Sequence, residues 1–149
     1  MTEITKHFAN AIFIVHKNKV LLHKHKKLNL ILPVGGHVDR DELPDESAIR
    51  ETKEETGLDV ELYTSKKLNE WGTTREINMG EHMNIHKINE FHEHICFVYY
   101  AKSNSDEINP AKGESKETQW YSKEEIEDST YLKEDIKDYA LEALEILKE

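Results

Sequence analysis

The segment GGHVDRDELPDESAIRETKEETGLDV, residues 35–60, combines a glycine pair with a dense run of acidic side chains. Pro44 suits the first turn of a helix, where its missing N–H has no partner to lose. Gly57 suits the left-handed residue that closes a helix. The segment therefore predicts a helix between these two residues, preceded by a turn or loop at Gly35 and Gly36.

Three glutamates of this helix, Glu51, Glu54 and Glu55, would share one face. Like charges three and four positions apart repel each other, and two of these acids would lie near the negative end of the helix dipole. Mg²⁺ prefers such oxygen ligands and is commonly shared with substrate phosphates. A cation would turn the repulsion into attraction, whereas the alternative is an exposed acidic helix without a ligand.

The spacing of this segment distinguishes it from an ordinary acidic helix. After Gly36 come five residues, then Glu42, seven more residues, and then the run RETKEETGL at 50–58. This order resembles the Nudix box, the signature of the Nudix (MutT-like) hydrolase family. Thr52 departs from the pattern, because an aliphatic residue is usual there. Eight positions match: Gly36, Glu42, Arg50, Glu51, Glu54, Glu55, Gly57 and Leu58.

The resemblance implies both a fold and a reaction. The implied fold class is α/β, a Nudix-type α/β/α sandwich with a mixed β-sheet, and one Nudix domain would span residues 1–149. Nudix enzymes hydrolyse a nucleoside diphosphate linked to another group, and related pyrophosphates. They use Mg²⁺ or Mn²⁺ held by the box.

The same resemblance implies roles for the box residues. Glu54 and Glu55 would be the principal metal ligands, and the carbonyl of Gly35 a further ligand. Glu51 would bind metal, or orient and deprotonate the attacking water. Arg50 would be a catalytic residue that orients Glu51.

Family members often supply another glutamate from a loop before a later tryptophan-bearing strand. The corresponding stretch here is KGESKETQWY, residues 112–121. Glu114 is the first candidate for this catalytic and metal-binding carboxylate, and Glu117 is the second. For either residue the alternative is a surface acid without a catalytic role.

Two candidate substrate-binding residues lie before and within the box. Lys24 lies in the strand before it and could contact a phosphate, although a solvated lysine is the alternative. His37 directly follows Gly36 and is a functional candidate with no defined role. Four further histidines lie on segments that could border the site and could bind a metal, transfer protons or contact a base: His23, His25, His92 and His94.

Hydrophobic patterning predicts interspersed strands and helices. Residues 8–16 and 20–25 should form a β-hairpin, and residues 92–101 a strand with both faces apolar in its second half. Ser122 and Glu125 form a capping-box pattern, and residues 131–149 have the apolar spacing of an amphipathic helix. Residues 73–90 are polar and irregular, which predicts a long loop.

Charge and cysteine content limit the partners. The net charge is −10, so a duplex nucleic acid is not an expected partner. A single cysteine, Cys96, excludes an internal disulfide framework. No apolar run is long enough to span a bilayer, and the N-terminus lacks a secretory signal. The expected protein is cytoplasmic, and a homodimer is compatible with these features.

Substrate signals outside the box are missing. The strings associated with NADH pyrophosphatases, ADP-ribose hydrolases and coenzyme A hydrolases do not occur, which favours nucleoside triphosphates by elimination. One alternative is a non-catalytic Nudix domain that binds a nucleotide or sugar as a sensor. An isomerase of the same fold would need further catalytic residues, and a chance match would require eight coincidences.

Overall fold

The computed structural model describes residues 3–25, 29–113 and 117–149. Strands β1 (Thr5–His16) and β2 (Lys19–His25) form the expected antiparallel hairpin. Lys17 and Asn18 connect them, both with positive φ angles of 45° and 64°. A two-residue turn of this kind matches the right-handed twist of its strands.

The next two strands, β3 (Leu30–Leu32) and β4 (Val34–His37), are separated only by Pro33. The prediction of a turn or loop at the glycine pair is therefore wrong, because β4 runs antiparallel to β1 and places Gly36 opposite Asn10. Glycine is tolerated in this strand because another element approaches it closely.

Helix α1 (Pro44–Thr56) begins and ends where the sequence predicts. Gly57 follows it with a φ of 76°, the left-handed conformation expected at a helix end. Inside the helix, Ala48 and Thr52 are fully buried, as expected of an inward face. Ile49, which follows Ala48, is 41% exposed and lies outside this inward face.

Four strands follow α1: β5 (Val60–Leu62), β6 (Glu70–Trp71), β7 (Thr74–Arg75) and β8 (His82–Asn89). The prediction of a long loop over residues 73–90 is therefore wrong. Among the described residues, strand β8 pairs with β9 alone, and nearly all its side chains are exposed. An edge strand with little burial needs no apolar alternation, so periodicity could not detect it.

The last elements are β9 (His92–Ser103), β10 (Glu117–Ser122), α2 (Lys123–Asp128) and α3 (Glu134–Ile146). Ser122 caps α2 by accepting a hydrogen bond from the Glu125 N–H at 3.2 Å, so the predicted capping box is present. None of the helices within the described ranges is long and apolar enough to cross a membrane.

The principal sheet has eight strands. Its path runs β10-β2-β1-β9-β5, with β3 beside β2, β4 beside β1 and β8 beside β9. Strands β1 and β9 are parallel, and the other pairs are antiparallel. This arrangement confirms the expected mixed sheet.

Apolar side chains of β1 and β9 alternate between two cores, one on each face of the sheet. Phe13 and Tyr100 pack on one face with residues of α2 and α3. Ile12 and Tyr99 pack on the other with Ala48 of α1. Helices therefore cover both faces, which confirms the α/β/α sandwich.

Candidate active site

The two glycines of β4 allow α1 to approach the sheet closely, because a side chain at either position would meet neighbouring atoms. A Cβ atom added at Gly36 would lie 2.6 Å from Oε1 of Glu51. One added at Gly35 would lie 2.2 Å from the backbone oxygen of Asn10. The Gly35 N–H also donates to Oε2 of Glu55 at 2.9 Å. The glycine pair thus places the strand backbone directly against two box glutamates.

Arg50 binds the acids of the box together. Its Nε and Nη2 donate to the two carboxylate oxygens of Glu42 at 2.7 and 3.1 Å, a bidentate pair. Its Nη1 donates to Glu51 and Glu54, each at 3.2 Å. Its Nη2 also reaches the carbonyl of His37 at 3.3 Å. One guanidinium therefore orients three carboxylates and the loop before α1.

The acids differ in environment. Glu55 is 3% exposed, while the side chain of Glu54 is 45% exposed. Burial and the neighbouring Glu55 raise the pKa of Glu51, although Arg50 opposes this effect. Hydrogen bonds from Arg50 lower the pKa of Glu42. Ionising Glu51, which lies against Gly36, is thus costly.

Asn10 supports this geometry, and the sequence analysis missed it. This buried side chain donates to Oγ of Ser47 at 2.6 Å and accepts from the Gly36 N–H at 3.1 Å. Ser47 in turn donates to the carbonyl of His37 at 3.2 Å. The available signal was an asparagine within an otherwise apolar strand, because buried polar side chains need specific partners.

The chain after β9 returns to the end of α1. The N–H groups of Asn109 and Ala111 donate to the carbonyls of Thr56 and Glu54 at 2.7 and 2.9 Å. These bonds satisfy helix-terminal acceptors and fix this segment beside the box. Glu114 lies outside the described residues.

A cavity of about 360 Å³ opens beside the box, between the sheet and the start of α3. The box contributes Gly35, Gly36 and Glu55 to its wall. Strand β8 contributes Asn84, whose amide donates to the Tyr139 hydroxyl of α3 at 3.1 Å. Its volume is in the range that accommodates a small ligand. The further lining residues include His23, His25, His37, His86, His94, Lys133 and Asp135.

The substrate-binding candidates fall in different places. His37 lines the cavity, as do His23 and His25. His23 is buried, and its Nε2 lies 3.1 Å from the carbonyl oxygen of Pro33. Lys24 is exposed on β2, opposite Glu117 of β10, and is not among the described residues that line the cavity.

Several histidines converge at one end of the sheet. Nε2 of His37 lies 3.0 Å from Nε2 of His94. One nitrogen each of His7, His37 and His92 lies within 4.8 Å of the others. Burial and the neighbouring imidazoles lower the pKa of His94 to about 4. Three of these residues are candidates from the sequence, but no sequence signal indicates their convergence or points to His7.

The box residues fit a hard divalent cation. Glu51, Glu54 and Glu55 provide oxygen donors on consecutive turns of one rigid helix. The raised pKa of Glu51 shows that the cluster holds its negative charge at a cost, which a cation would reduce. Nothing in this donor set favours a soft metal, since sulfur ligands are lacking among the box residues.

Residues 5–143 match the NUDIX domain. The chain belongs to the Nudix family. Nudix enzymes hydrolyse phosphoanhydride bonds and generally use a divalent metal. This member keeps the box arginine in contact with three of the box glutamates, and it is accordingly a hydrolase of that class.

Solved structures agree with this assignment. A NUDIX-family hydrolase from Clostridium perfringens is 41% identical, with 97% of this chain and 100% of that chain covered and a TM-score of 0.85. A MutT protein from Methanosarcina mazei Go1 is 18% identical over the full length of both chains, with a TM-score of 0.70.

An ADP-ribose pyrophosphatase from Streptococcus suis 89-1591 is 21% identical, covering 97% of this chain and 94% of that chain, with a TM-score of 0.61. The second and third structures support the fold alone. Comparison with curated protein sequences finds no match.

Proposed function

We propose that this Nudix protein is a divalent-metal-dependent pyrophosphohydrolase. Its substrate would be a nucleoside di- or triphosphate, or a related compound linked through a nucleoside diphosphate. The observation that carries the proposal is the single Arg50 guanidinium holding Glu42, Glu51 and Glu54 in place. Glu55 of the same helix lines a cavity of ligand size.

Glu51, Glu54, Glu55 and the carbonyl of Gly35 would hold Mg²⁺ or Mn²⁺. When bound, such an ion neutralises phosphate charge and lowers the pKa of a coordinated water. Glu51 would accept the proton of the attacking water, and burial raises the pKa of this carboxyl in the metal-free protein. Arg50 would hold this carboxylate in its productive orientation.

Glu114 is proposed as the additional catalytic and metal-binding carboxylate. This proposal is supported by Ala111, three positions earlier, which is hydrogen-bonded to the last turn of α1. The segment that leads to Glu114 therefore starts beside the box.

The cavity would hold the nucleoside part of the substrate. Apolar groups such as Ile88 and Ile136 and polar groups such as Asn84 line it together, which suits a base with polar edges. His37 is proposed to contact substrate from the cavity wall. Lys24 is exposed on a neighbouring strand and would contact the outer end of a phosphate chain.

The cellular setting is also inferred. Cys96 is a buried free thiol, as in cytoplasmic proteins. Across β1, β9 and β8, Phe8, Ile95 and Ile85 are aligned on one face, and Phe8 and Ile85 are each 54% exposed. An exposed apolar strip supports a homodimer, which sedimentation at several protein concentrations would detect. One Nudix domain is proposed to span residues 1–149.

The test is hydrolysis of a nucleotide panel by the purified protein with Mg²⁺ or Mn²⁺, measured as released phosphate or pyrophosphate. Glu54→Gln should abolish turnover and leave the thermal midpoint nearly unchanged, because this side chain is half exposed. Glu61→Gln changes an exposed glutamate of β5 and serves as the matched control.

Equal turnover by Glu54→Gln and wild type would overturn the proposed metal site. A complete lack of turnover, with thermal stabilisation by one of the nucleotides, would instead indicate a ligand-binding sensor.

A further inference from the structure

Neighbouring strands bring four imidazoles to one end of the sheet, on the face covered by α3. In the parallel pair of β1 and β9, Thr5 lies opposite His92 and His7 opposite His94. In the antiparallel pair of β1 and β4, Ala9 lies opposite His37. Partners in register project from the same face of a sheet, so the rings meet although His7 and His92 are 85 residues apart in sequence.

The four side chains His7, His37, His92 and His94 are called the histidine cluster below. The ring centroids of His7 and His92 lie 4.5 Å apart, those of His37 and His94 4.8 Å, and those of His92 and His94 5.0 Å. The 3.0 Å separation of the His37 and His94 Nε2 atoms is close to the spacing of two nitrogens on one ion. Tetrahedral zinc with Zn–N bonds of about 2.0–2.1 Å places adjacent nitrogens about 3.3 Å apart.

Thr5 orients the His92 ring for coordination. Its hydroxyl donates to the carbonyl of Phe91 at 3.2 Å, and its oxygen lies 3.0 Å from Nδ1 of His92. Since the hydroxyl hydrogen is used on Phe91, Nδ1 of His92 is the donor in the second contact. Nε2 of His92 then keeps its lone pair, as in metal sites whose ligand histidines are oriented by a hydrogen bond at the other nitrogen.

We propose that the histidine cluster binds a borderline transition-metal ion of the Zn²⁺ class. His7, His37 and His92 would be the primary ligands, and His94 the fourth. The exposed rings of His7 and His37 can rotate to shorten the distances between the ligand nitrogens. The paired strands meanwhile fix the Cα positions of these residues. This site differs in chemistry from the carboxylate site of the box, because imidazole suits zinc, copper and nickel whereas carboxylate suits magnesium and manganese.

The test uses the full chain after treatment with a chelator. Binding of Zn²⁺ is measured by calorimetry in excess Mg²⁺, which occupies the carboxylates. The wild type should bind one equivalent, and Co²⁺ in its place should give the intense visible bands of a low-coordinate nitrogen site. His7→Gln and His92→Gln should each weaken Zn²⁺ binding by at least about 10-fold. His16→Gln, at the opposite end of β1, is the matched control and should bind like the wild type.

Because His7 is exposed, its variant should fold, and a thermal melt without metal checks the folding of both variants. Zn²⁺ affinity equal in the wild type and both variants would overturn the site. Loss of Zn²⁺ binding in Glu54→Gln alone would also overturn the site, because it would place the ion on the box. A loss of Zn²⁺ affinity in His16→Gln equal to that in the two cluster variants would overturn it as well. Binding no tighter than about 1 mM would also overturn it. The result does not depend on hydrolysis, since calorimetry reads the ion directly.

Discussion

The substitution Gly36→Ala tests whether the close approach of β4 to α1 positions Glu51. The added methyl carbon would lie 2.6 Å from Oε1 and 2.7 Å from Cδ of Glu51. Both atoms belong to the end of a flexible side chain, so the carboxylate can move without displacing the backbone. Gly36 does not have a positive φ, so alanine causes no backbone strain there.

The size of the displacement follows from the contact. Ordinary contact begins at 3.4 Å, so Oε1 must retreat from 2.6 Å to 3.4 Å, a shift of 0.8 Å. A misplacement of about 1 Å can reduce a rate roughly 100-fold, which corresponds to about 2.7 kcal/mol of lost transition-state stabilisation. The folded state loses only the partly exposed Arg50–Glu51 contact, a cost below about 1 kcal/mol.

The assay compares kcat/KM on a hydrolysed nucleotide with the free energy of unfolding in urea. Gly72→Ala is the reciprocal control, because no atom lies within 4 Å of its added carbon but its φ is +55°. It should lose about 1–2 kcal/mol of stability and keep full activity. Gly36→Ala should instead lose activity and keep nearly all of its stability.

Full activity in Gly36→Ala would refute the reasoning, because a displaced Glu51 would then have no effect on the reaction. Parallel loss of activity and stability would also refute it, since the substitution would then act through the fold.

Three further predictions concern α1. Arg50→Lys should lower kcat roughly 10-fold or more with little change in KM, because lysine lacks the planar fork that holds three carboxylates; steady-state kinetics measure it. Thr52→Val should raise the thermal midpoint by about 3 °C with unchanged kcat, because the buried Thr52 hydroxyl has no hydrogen-bond partner in the described part of the chain. Finally, Glu51 has a higher pKa in the folded metal-free protein than its ordinary value of 4.5. The folded state therefore holds this proton more tightly, and the free energy of unfolding falls as the pH rises from below 4.5 through the folded-state pKa. Relative to wild type, Glu51→Gln should show less of this loss in melts across the pH range.

The contrary results are equally specific. Full activity in Arg50→Lys would show that charge alone suffices. A lower midpoint in Thr52→Val would mean that the hydroxyl has a stabilising role. Identical pH profiles of stability for wild type and Glu51→Gln would show that burial does not raise the pKa of this carboxyl.

The box and its helix could be predicted closely because their signals are local. Pro44, Gly57 and the intervening spacing define the ends of α1, and the order of charges along one helix fixes which acids share a face. Arg50 contacts Glu54 one turn later, as helical spacing requires. It does not pair with Glu46, whose carboxylate instead accepts from the Leu43 N–H at 3.2 Å.

Strands β4 and β8, which precede and follow α1 in the chain, were predicted less well because their stability comes from pairing with other strands. Strand β4 contains two glycines, a composition that favours turns, yet it pairs with β1 along its whole length. Strand β8 is almost entirely exposed, yet it pairs with β9. In both cases the backbone hydrogen bonds to a neighbouring strand outweigh weak local preference.

The sequence by itself carried the resemblance to the Nudix family, through the spacing of one short segment, and that resemblance implied the sandwich fold and the roles of the box acids. Hydrophobic periodicity added the prediction of interspersed strands and helices. Tertiary structure alone decided that Asn10 supports the glycine strand and that His7 meets three histidines from other strands. Those contacts depend on strand order and register, which bring together residues far apart in the chain. Local spacing carries no information about such neighbours.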